Sequence, residues 1–140
     1  SNWVGMTNPA IFECRGNGRI VIGNHSGLSG SVLSSRSCIT LGEHVNVGGN
    51  VRIYDHDYHS LNHKERRSRK TDQANIKSRP IVIGNDVFIG VNSIVLKGVT
   101  IGDRAVIGAG SVVRCNVPPD ELWAGNPAVK ICKHSNSPQS

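Results

Sequence analysis

The sequence predicts an all-β solenoid of short parallel strands stacked in coils, and a repeat of six residues indicates it. From Ile83 the chain runs through six consecutive hexads, IGNDVF, IGVNSI, VLKGVT, IGDRAV, IGAGSV and VRCNVP, each with an aliphatic residue at its first position. The fifth position is always small or β-branched. An α-helix of 3.6 residues per turn does not produce a strict period of six, whereas short strands joined by tight turns do.

The first and fifth residues of each hexad are predicted to face inward. Stacked strands lie about 4.8 Å apart, so equivalent side chains in successive coils should form ladders along the interior. The Gly, Asn and Asp residues between the inward positions suit turns that need unusual backbone angles. The predicted inward residues at the fifth position are Val87, Ser93, Val99, Ala105, Ser111 and Val117.

A second, less regular tract of hexads precedes the strict one and extends from Ile22 to Ile53. The interval from Leu28 to Leu41 is one residue longer than a multiple of six. A small insertion or bulge is therefore expected near residues 34–38, within an otherwise continuous single domain of 140 residues.

Composition narrows the class of protein. Aromatic residues make up only 4% of the chain, so the core must consist of aliphatic and small residues. No run approaches the roughly 18 to 20 apolar residues of a membrane span, and no basic segment followed by an apolar run opens the chain. The four cysteines form no CxxC pair, as expected for reduced thiols. We therefore expect a cytoplasmic protein without membrane insertion.

The net charge of +6 is concentrated in one segment. Seven basic residues between Lys64 and Arg79 face only two acidic ones, and aromatic residues for base stacking are absent there. We therefore do not expect a nucleic acid partner. The segment is interpreted as a solvated loop whose rim attracts anions.

The hexads are interrupted once, from Tyr54 to about Pro80, by a long polar insertion. Insertions of this length in compact domains are usually functional or disordered. In an extended backbone Asp55, Asp57 and His59 lie on one side and His56 on the other. A carboxylate two residues from an imidazole can orient the ring and stabilise its protonated form. The sequence thus predicts an acid–base pair of Asp57 and His59.

Taken together, these features resemble the hexapeptide-repeat acyltransferases, whose fold is a left-handed parallel β-helix with three hexads to a coil. The resemblance covers nearly the whole chain, and the handedness is implied by the family alone. It further implies a homotrimer with active sites between subunits, acetyl-CoA as the acyl donor and no required metal. A short solenoid has little core of its own, which also favours oligomerisation.

The segment HSLN at 59–62, followed by Arg66, resembles the His-Pro-Leu-Asp/Asn segment of maltose, galactoside and nodulation-type sugar acetyltransferases. Asp57-x-His59 resembles the Asp-x-His motif of polysaccharide O-acetyltransferases. Both resemblances place the catalytic histidine at His59, with His56 as the competing candidate. The candidate acceptor-binding residues are His56, Tyr58 and Arg66.

For the acyl donor, the tract FIGV at 88–91 resembles the family's Trp-Ile-Gly-Ser segment, whose fourth amide lies near the thioester. The Val91 N–H thereby becomes the candidate oxyanion donor, and Ala109 a contact of the pantetheine arm. The segment 118–133 resembles the family's C-terminal cap, and residues 134–140 are expected to be a disordered tail. The candidate residues for the CoA phosphates are Arg114, Lys130 and Lys133.

The resemblance implies O-acetylation of a sugar hydroxyl on a cell-surface polysaccharide, its precursor or a nucleotide-linked sugar. The stretch Gly30–Arg36 lacks the Asn and Asp with which galactoside enzymes grip their acceptor, which argues against a simple galactoside. Two alternatives stay open. His56, His59 and His63 could ligate a metal, as in the γ-class carbonic anhydrases, or the solenoid could be a non-catalytic scaffold.

Overall fold

Three sheets surround one aliphatic core in the computed structural model, which describes residues 9–134. The described part also contains a short 3₁₀ helix at Glu65–Arg67 and a short helix α1 at Arg69–Ala74. No helix within residues 9–134 is long and apolar enough to cross a membrane. The strands are β1 (Ile11–Cys14), β2 (Arg19–Ile22), β3 (Gly27–Leu28), β4 (Val32–Ser35), β5 (Cys38–Leu41), β6 (Asn46–Val47), β7 (Arg52–Tyr54), β8 (Ile81–Ile83), β9 (Phe88–Ile89), β10 (Ile94–Val95), β11 (Thr100–Ile101), β12 (Val106–Ile107), β13 (Val112–Val113), β14 (Glu121–Gly125) and β15 (Ala128–Lys133).

Up to β13, each sheet takes every third strand, so the chain visits all three sheets once per coil. Sheet A has the order β1-β4-β7-β10-β13, sheet B the order β2-β5-β8-β11, and sheet C the order β3-β6-β9-β12-β14-β15. All pairings are parallel except the final one, between β14 and β15. The predicted all-β parallel solenoid is confirmed.

The inward ladders lie where the hexads predict them. The first-position residues from Ile83 to Val113 are at most 1% exposed, and the fifth-position residues from Val87 to Val117 at most 2%. In sheet A, for example, Ile53 stands in register with Val95, which stands in register with Val113. Burial of an aliphatic side chain of this size stabilises the fold by about 1.5 to 3 kcal/mol.

The irregular coil of the first tract has one short side and one long side. Leu33 follows Leu28 by five residues instead of six, and Leu41 follows Leu33 by eight. The extra residues form a bulge that closes on the carboxylate of Asp55, which accepts hydrogen bonds from Ser35 Oγ at 2.7 Å, the Arg36 amide at 2.7 Å and the Ser37 amide at 2.9 Å. The predicted insertion near residues 34–38 is confirmed.

A long loop leaves the solenoid after β7 and returns at β8. It contains the two short helices, and Ser68 caps α1 by accepting a hydrogen bond from the Thr71 amide at 3.4 Å. The sequence gives little sign of α1, because its six residues have no apolar face and only Asp72 among them is buried. The loop is thus a folded segment that covers one corner of the solenoid.

The C-terminal cap is a hairpin. Val117 bridges to Ile101 and ends sheet B, but sheet C continues past the two prolines, because β14 pairs with β12 before β15 folds back on it. His134 still donates its amide to the Asp120 carbonyl at 2.8 Å. The rest of the expected disordered tail, residues 135–140, lies outside the described residues.

Because Ile101 is fully buried in sheet B, Ile101→Ala should lower the free energy of unfolding by about 2 to 5 kcal/mol through lost burial and a residual cavity. Val82→Ala, in the neighbouring strand but 44% exposed, should change it by no more than about 0.5 kcal/mol. Urea unfolding followed by circular dichroism measures both. Equal losses would contradict the inward assignment of the first hexad position.

Candidate functional site

The loop that begins at Asp55 is held closed at its base by backbone hydrogen bonds. The Asp57 amide donates to the Lys77 carbonyl at 3.1 Å, and the Arg79 amide donates to the Asp55 carbonyl at 2.9 Å. Lys97, from the next coil, donates its Nζ to Asp57 Oδ1 at 2.7 Å. These contacts fix the first residues of the loop against the corner between sheets A and B.

The imidazole of His59 pairs with Asp72, which lies on α1. His59 Nδ1 is 2.6 Å from Asp72 Oδ2, and the Ser60 amide donates to Asp72 Oδ1 at 2.7 Å. Since an ionised carboxylate only accepts, the pairing selects the tautomer of the neutral ring that carries its proton on Nδ1, and Nε2 is then the acceptor. The hydrogen bond from His59, followed by that from the Ser60 amide, lowers the pKa of Asp72 below its ordinary value, so this carboxylate stays ionised at neutral pH.

The predicted pairing of Asp57 with His59 is wrong. The extended backbone that it assumes ends at Tyr58, whose φ of 67° turns the chain. Asp57 faces Lys97, while His59 is carried to Asp72. Asp72 is therefore a site residue that the sequence analysis missed. Its only signal in the sequence is that it is one of two acidic residues in the strongly basic segment 64–79.

His56 is buried, with only 4% of its surface exposed, and both of its ring nitrogens are occupied. Nδ1 accepts the Tyr58 amide at 3.0 Å, so the ring proton lies on Nε2 and is donated to Ser34 Oγ at 2.8 Å. Ser34 in turn donates to Glu13 Oε1 at 2.7 Å. Neither nitrogen is free to accept a proton from a ligand, which removes His56 as the competing general base.

The two other candidate acceptor-binding residues also contact the protein itself. The hydroxyl of Tyr58 lies 3.5 Å from Glu13 Oε1, and its ring meets that of Tyr54 edge-on. Arg66 Nη1 donates to the Ser60 carbonyl at 2.9 Å and so supports the residue next to His59. Among the four candidates His56, Tyr58, His59 and Arg66, it is His59, with a side chain that is 66% exposed, that keeps a ring nitrogen free to accept a proton at the loop surface.

The candidate oxyanion donor, Val91, lies at a different corner, between sheets C and A. Its N–H makes no hydrogen bond within residues 9–134, while its carbonyl accepts the Gly110 amide at 2.8 Å. Gly48 lies against this amide so closely that a Cβ would stand 2.8 Å from the nitrogen. Gly90 lies in the same way against Ala109, one coil further along. Val91 and Ala109 are thus stacked on one edge of the solenoid.

A cleft of ≈ 280 Å³ lies on sheet C beside this edge. Its lining includes the exposed ring of Phe88, Asn46 and the pair Gly48 and Gly49. The sequence analysis missed this glycine pair, although two adjacent glycines in a hexad are a visible signal of close backbone approach. The cleft offers an apolar channel next to a free backbone amide.

The two parts of the site lie on opposite edges of sheet A. Val91 precedes β10, and Lys97, which holds Asp57 on the side of His59, follows it. Val91 and Lys97 are six positions apart in the chain, which limits their separation to about 20 Å. His59 and Val91 of one chain therefore belong to different corners of the solenoid.

The candidate phosphate-binding residues are also divided. Arg114 follows β13 and is exposed on the side of the His59 loop, not beside Ala109. Lys130 Nζ lies 3.4 Å from Glu121 Oε2 at the hairpin, and Lys133 stands in register with Glu121. Both lysines are exposed at the end of sheet C. Across the residues described here, no three or more His, Cys, Asp or Glu side chains form a group suited to a metal ion.

Comparison with known proteins gives a family match. A model of the hexapeptide repeat of succinyl-transferase matches residues 80–115. A protein of Escherichia coli K12 named as a lipopolysaccharide biosynthesis O-acetyl transferase is 35% identical over 107 residues, which cover 74% of this chain and 55% of the relative. The galactoside O-acetyltransferase of the same strain is 39% identical over 89 residues, which cover 64% of this chain and 41% of the relative. The chain thus spans about half the length of these curated relatives.

A solved structure is similar over a larger share of both chains. It is a hexapeptide-repeat acetyltransferase of Vibrio cholerae O1 biovar eltor complexed with acetyl coenzyme A. The sequences are 34% identical, the match covers 92% of this chain and 70% of the other, and the TM-score is 0.77.

The buried His56 should make the stability of the protein depend on pH. Burial is the largest cause that lowers its pKa below the ordinary value of about 6.5; Arg36 and Arg15 add to the shift, and Asp55 and Glu13 oppose it. As the pH falls below that value, the unfolded chain takes up the proton first, so the free energy of unfolding decreases.

Thermal melts between pH 8 and pH 5 measure this effect. The melting temperature of the wild type should fall more steeply toward pH 5 than that of His56→Gln, which has no imidazole to protonate there. His63→Gln, on the exposed part of the loop, should keep the wild-type slope. If the melting temperatures of the wild type and His56→Gln fell equally steeply with pH, the lowered pKa of the buried His56 would be refuted.

Proposed function

Because this chain belongs to the hexapeptide-repeat acetyltransferases, in the branch of the sugar O-acetyltransferases, we propose that it transfers an acetyl group from acetyl-CoA to a sugar hydroxyl. The observation that supports this most directly is the pair of His59 and Asp72, which leaves His59 Nε2 free and exposed at the loop surface. We propose as acceptor a cell-surface polysaccharide, its precursor or a nucleotide-linked sugar. The four free cysteines suit a cytoplasmic location, where thiols stay reduced.

In the proposed reaction His59 acts as the general base. Nε2 takes the proton of the acceptor hydroxyl while that oxygen attacks the thioester carbonyl and forms a C–O bond. The tetrahedral intermediate then collapses, the C–S bond breaks, and the imidazolium returns its proton to the departing CoA sulfur. Asp72 holds the ring in the required tautomer and stabilises the imidazolium between these two steps. No covalent enzyme intermediate is needed.

The Val91 amide is the proposed oxyanion donor. Its N–H has no partner within the described residues, and it lies beside a cleft that suits the pantetheine arm. An amide already aimed at the developing charge needs no reorganisation during the reaction, and loss of such a donor typically costs about 3 to 4 kcal/mol of barrier. Ala109 would contact the pantetheine, and Lys130, Lys133 and Arg114 would meet the phosphates of CoA.

We propose that the complete site forms between subunits of a homotrimer. His59 and Val91 lie on opposite edges of sheet A, which supports a site in which the His59 of one chain and the Val91 of another act on the same thioester. A cyclic trimer repeats the same heterologous contact three times and brings the His59 edge of each chain to the Val91 edge of the next. Binding both substrates there converts a collision into an oriented reaction.

His59→Ala should lower kcat by about 10²- to 10⁴-fold, because the proton acceptor is lost. Asp72→Asn should also lower kcat, since an amide in place of the carboxylate no longer fixes the Nδ1–H tautomer. Asp57→Asn is the matched control: it removes a carboxylate of the same loop whose partner is Lys97, and it should reduce kcat less than Asp72→Asn. Release of the CoA thiol measures all three. A larger loss in Asp57→Asn than in Asp72→Asn would refute the assigned pair.

Subunit complementation tests the shared site. Val91→Pro removes the oxyanion N–H, and homotrimers of it or of His59→Ala should be inactive. When equal amounts of the two chains are mixed through unfolding and refolding, random trimers should regain about one quarter of the wild-type sites, because each mixed trimer contains one intact interface. The regained activity itself shows that Val91→Pro folds. No recovery in trimers shown to be mixed would contradict a site built from two chains.

A further inference from the structure

We propose that the acceptor carries an anionic group, a carboxylate or a phosphate, and that this group binds in a cleft of the loop beside His59. This proposal rests on the proposed function, since it assigns one part of the acceptor for the same site. The cleft has a volume of ≈ 660 Å³ and is lined by residues 60–65 together with Asn75 and Lys77; it is called the loop cleft below.

The loop cleft begins at the residue that follows His59. Ser60 lines it, and the Ser60 amide donates to the same carboxylate of Asp72 that holds the His59 ring. Arg66 supports the Ser60 carbonyl from the other side. A group bound in the loop cleft therefore lies next to the proposed general base and is fixed relative to it. A substituent of the reacting sugar, or the next group along the acceptor, would occupy the loop cleft while the reacting hydroxyl lies at His59.

The charges of the loop are unbalanced in a way that favours an anion. Both acidic residues between positions 60 and 79 are used internally: Glu65 accepts from Ser60 Oγ, and Asp72 accepts from His59 and the Ser60 amide. None of the loop's lysines, and neither Arg67 nor Arg69, forms an ion pair with a residue in the described range 9–134. Such uncompensated charge around a cleft concentrates anions there.

Two of these free cations line the loop cleft itself. Lys64 lines it from the outgoing part of the loop and Lys77 from the returning part, and His63 also belongs to the lining. Leu61 adds a side chain that is 71% exposed, which provides an apolar surface for one face of a sugar ring. A few placed polar groups beside an apolar contact are what a small-molecule site requires. An anionic sugar can contact the apolar surface of Leu61 and also pair with the two lysines, whereas a neutral sugar leaves the two ammonium groups without a counter-charge.

The test compares charged probes with neutral twins. Trigalacturonate and its methyl ester differ in the carboxylate charge and the small ester methyl groups, and UDP-glucose provides the phosphate arm, with uridine and methyl glucoside as its two uncharged parts. Isothermal titration calorimetry of the 140-residue chain, with CoA present, should give Kd values at least roughly ten-fold lower for one or both charged probes than for the neutral counterpart, as two charge-assisted contacts imply. Preference for trigalacturonate or for UDP-glucose identifies the anion as a carboxylate or a phosphate.

Two double variants locate the binding. In Lys64→Gln/Lys77→Gln the preference for charged probes should disappear, with the Kd of CoA unchanged. Arg69→Gln/Lys70→Gln removes the same charge from α1, outside the loop cleft, and should retain the preference. Equal Kd values for charged and neutral probes, an unchanged preference in the first variant, or an increased Kd for CoA instead would overturn the proposal. Failure of the proposed function appears separately, as absence of CoA binding and of acetyl transfer in the wild type.

Discussion

The stacking of inward aliphatic side chains in register is the constraint on which the rest of the molecule depends. Because the same positions of every coil are buried, the three corners recur at the same place in every coil, and whatever a corner carries is aligned with its neighbours. Val91 and Ala109 lie on one edge for this reason, and the loop with His59 leaves from another. The ladders thus decide which residues of a single chain come together.

His56 and His59 show how closely placed residues of one type receive different roles. The two residues are three positions apart. The ring of His56 is buried and both of its nitrogens are hydrogen-bonded, whereas the ring of His59 is exposed, with Nδ1 bound and Nε2 free. Tyr58 separates them, since its left-handed backbone turns the chain between the two rings. The chemistry of the site therefore comes from this turn as much as from the histidines.

The period of six was sufficient to predict the solenoid, its inward residues and the position of the bulge, because each depends on local spacing that every coil repeats. The partner of His59 was not predictable in this way. Asp72 is thirteen residues further on, in a helix too short to have an apolar face, and only the fold of the loop brings it back. The predicted partner, Asp57, would have required an extended backbone, but its carboxylate is bound by Lys97 from a neighbouring coil. Pairings between stacked hexads follow from the sequence, and pairings made by an insertion do not.

Asp55 joins two irregular features of the solenoid. Its side chain closes the bulge at residues 35–37, and its carbonyl accepts the Arg79 amide at the point where the loop returns. The coil is therefore closed at the base of the loop, and of the residues further out Gln73 on α1 accepts hydrogen bonds from Arg36 of the bulge at 3.3 Å. As a consequence, the hydrogen bonds that close the solenoid at this corner do not depend on how long the segment beyond them is, so an insertion there would lengthen the loop and leave the coil beneath it closed.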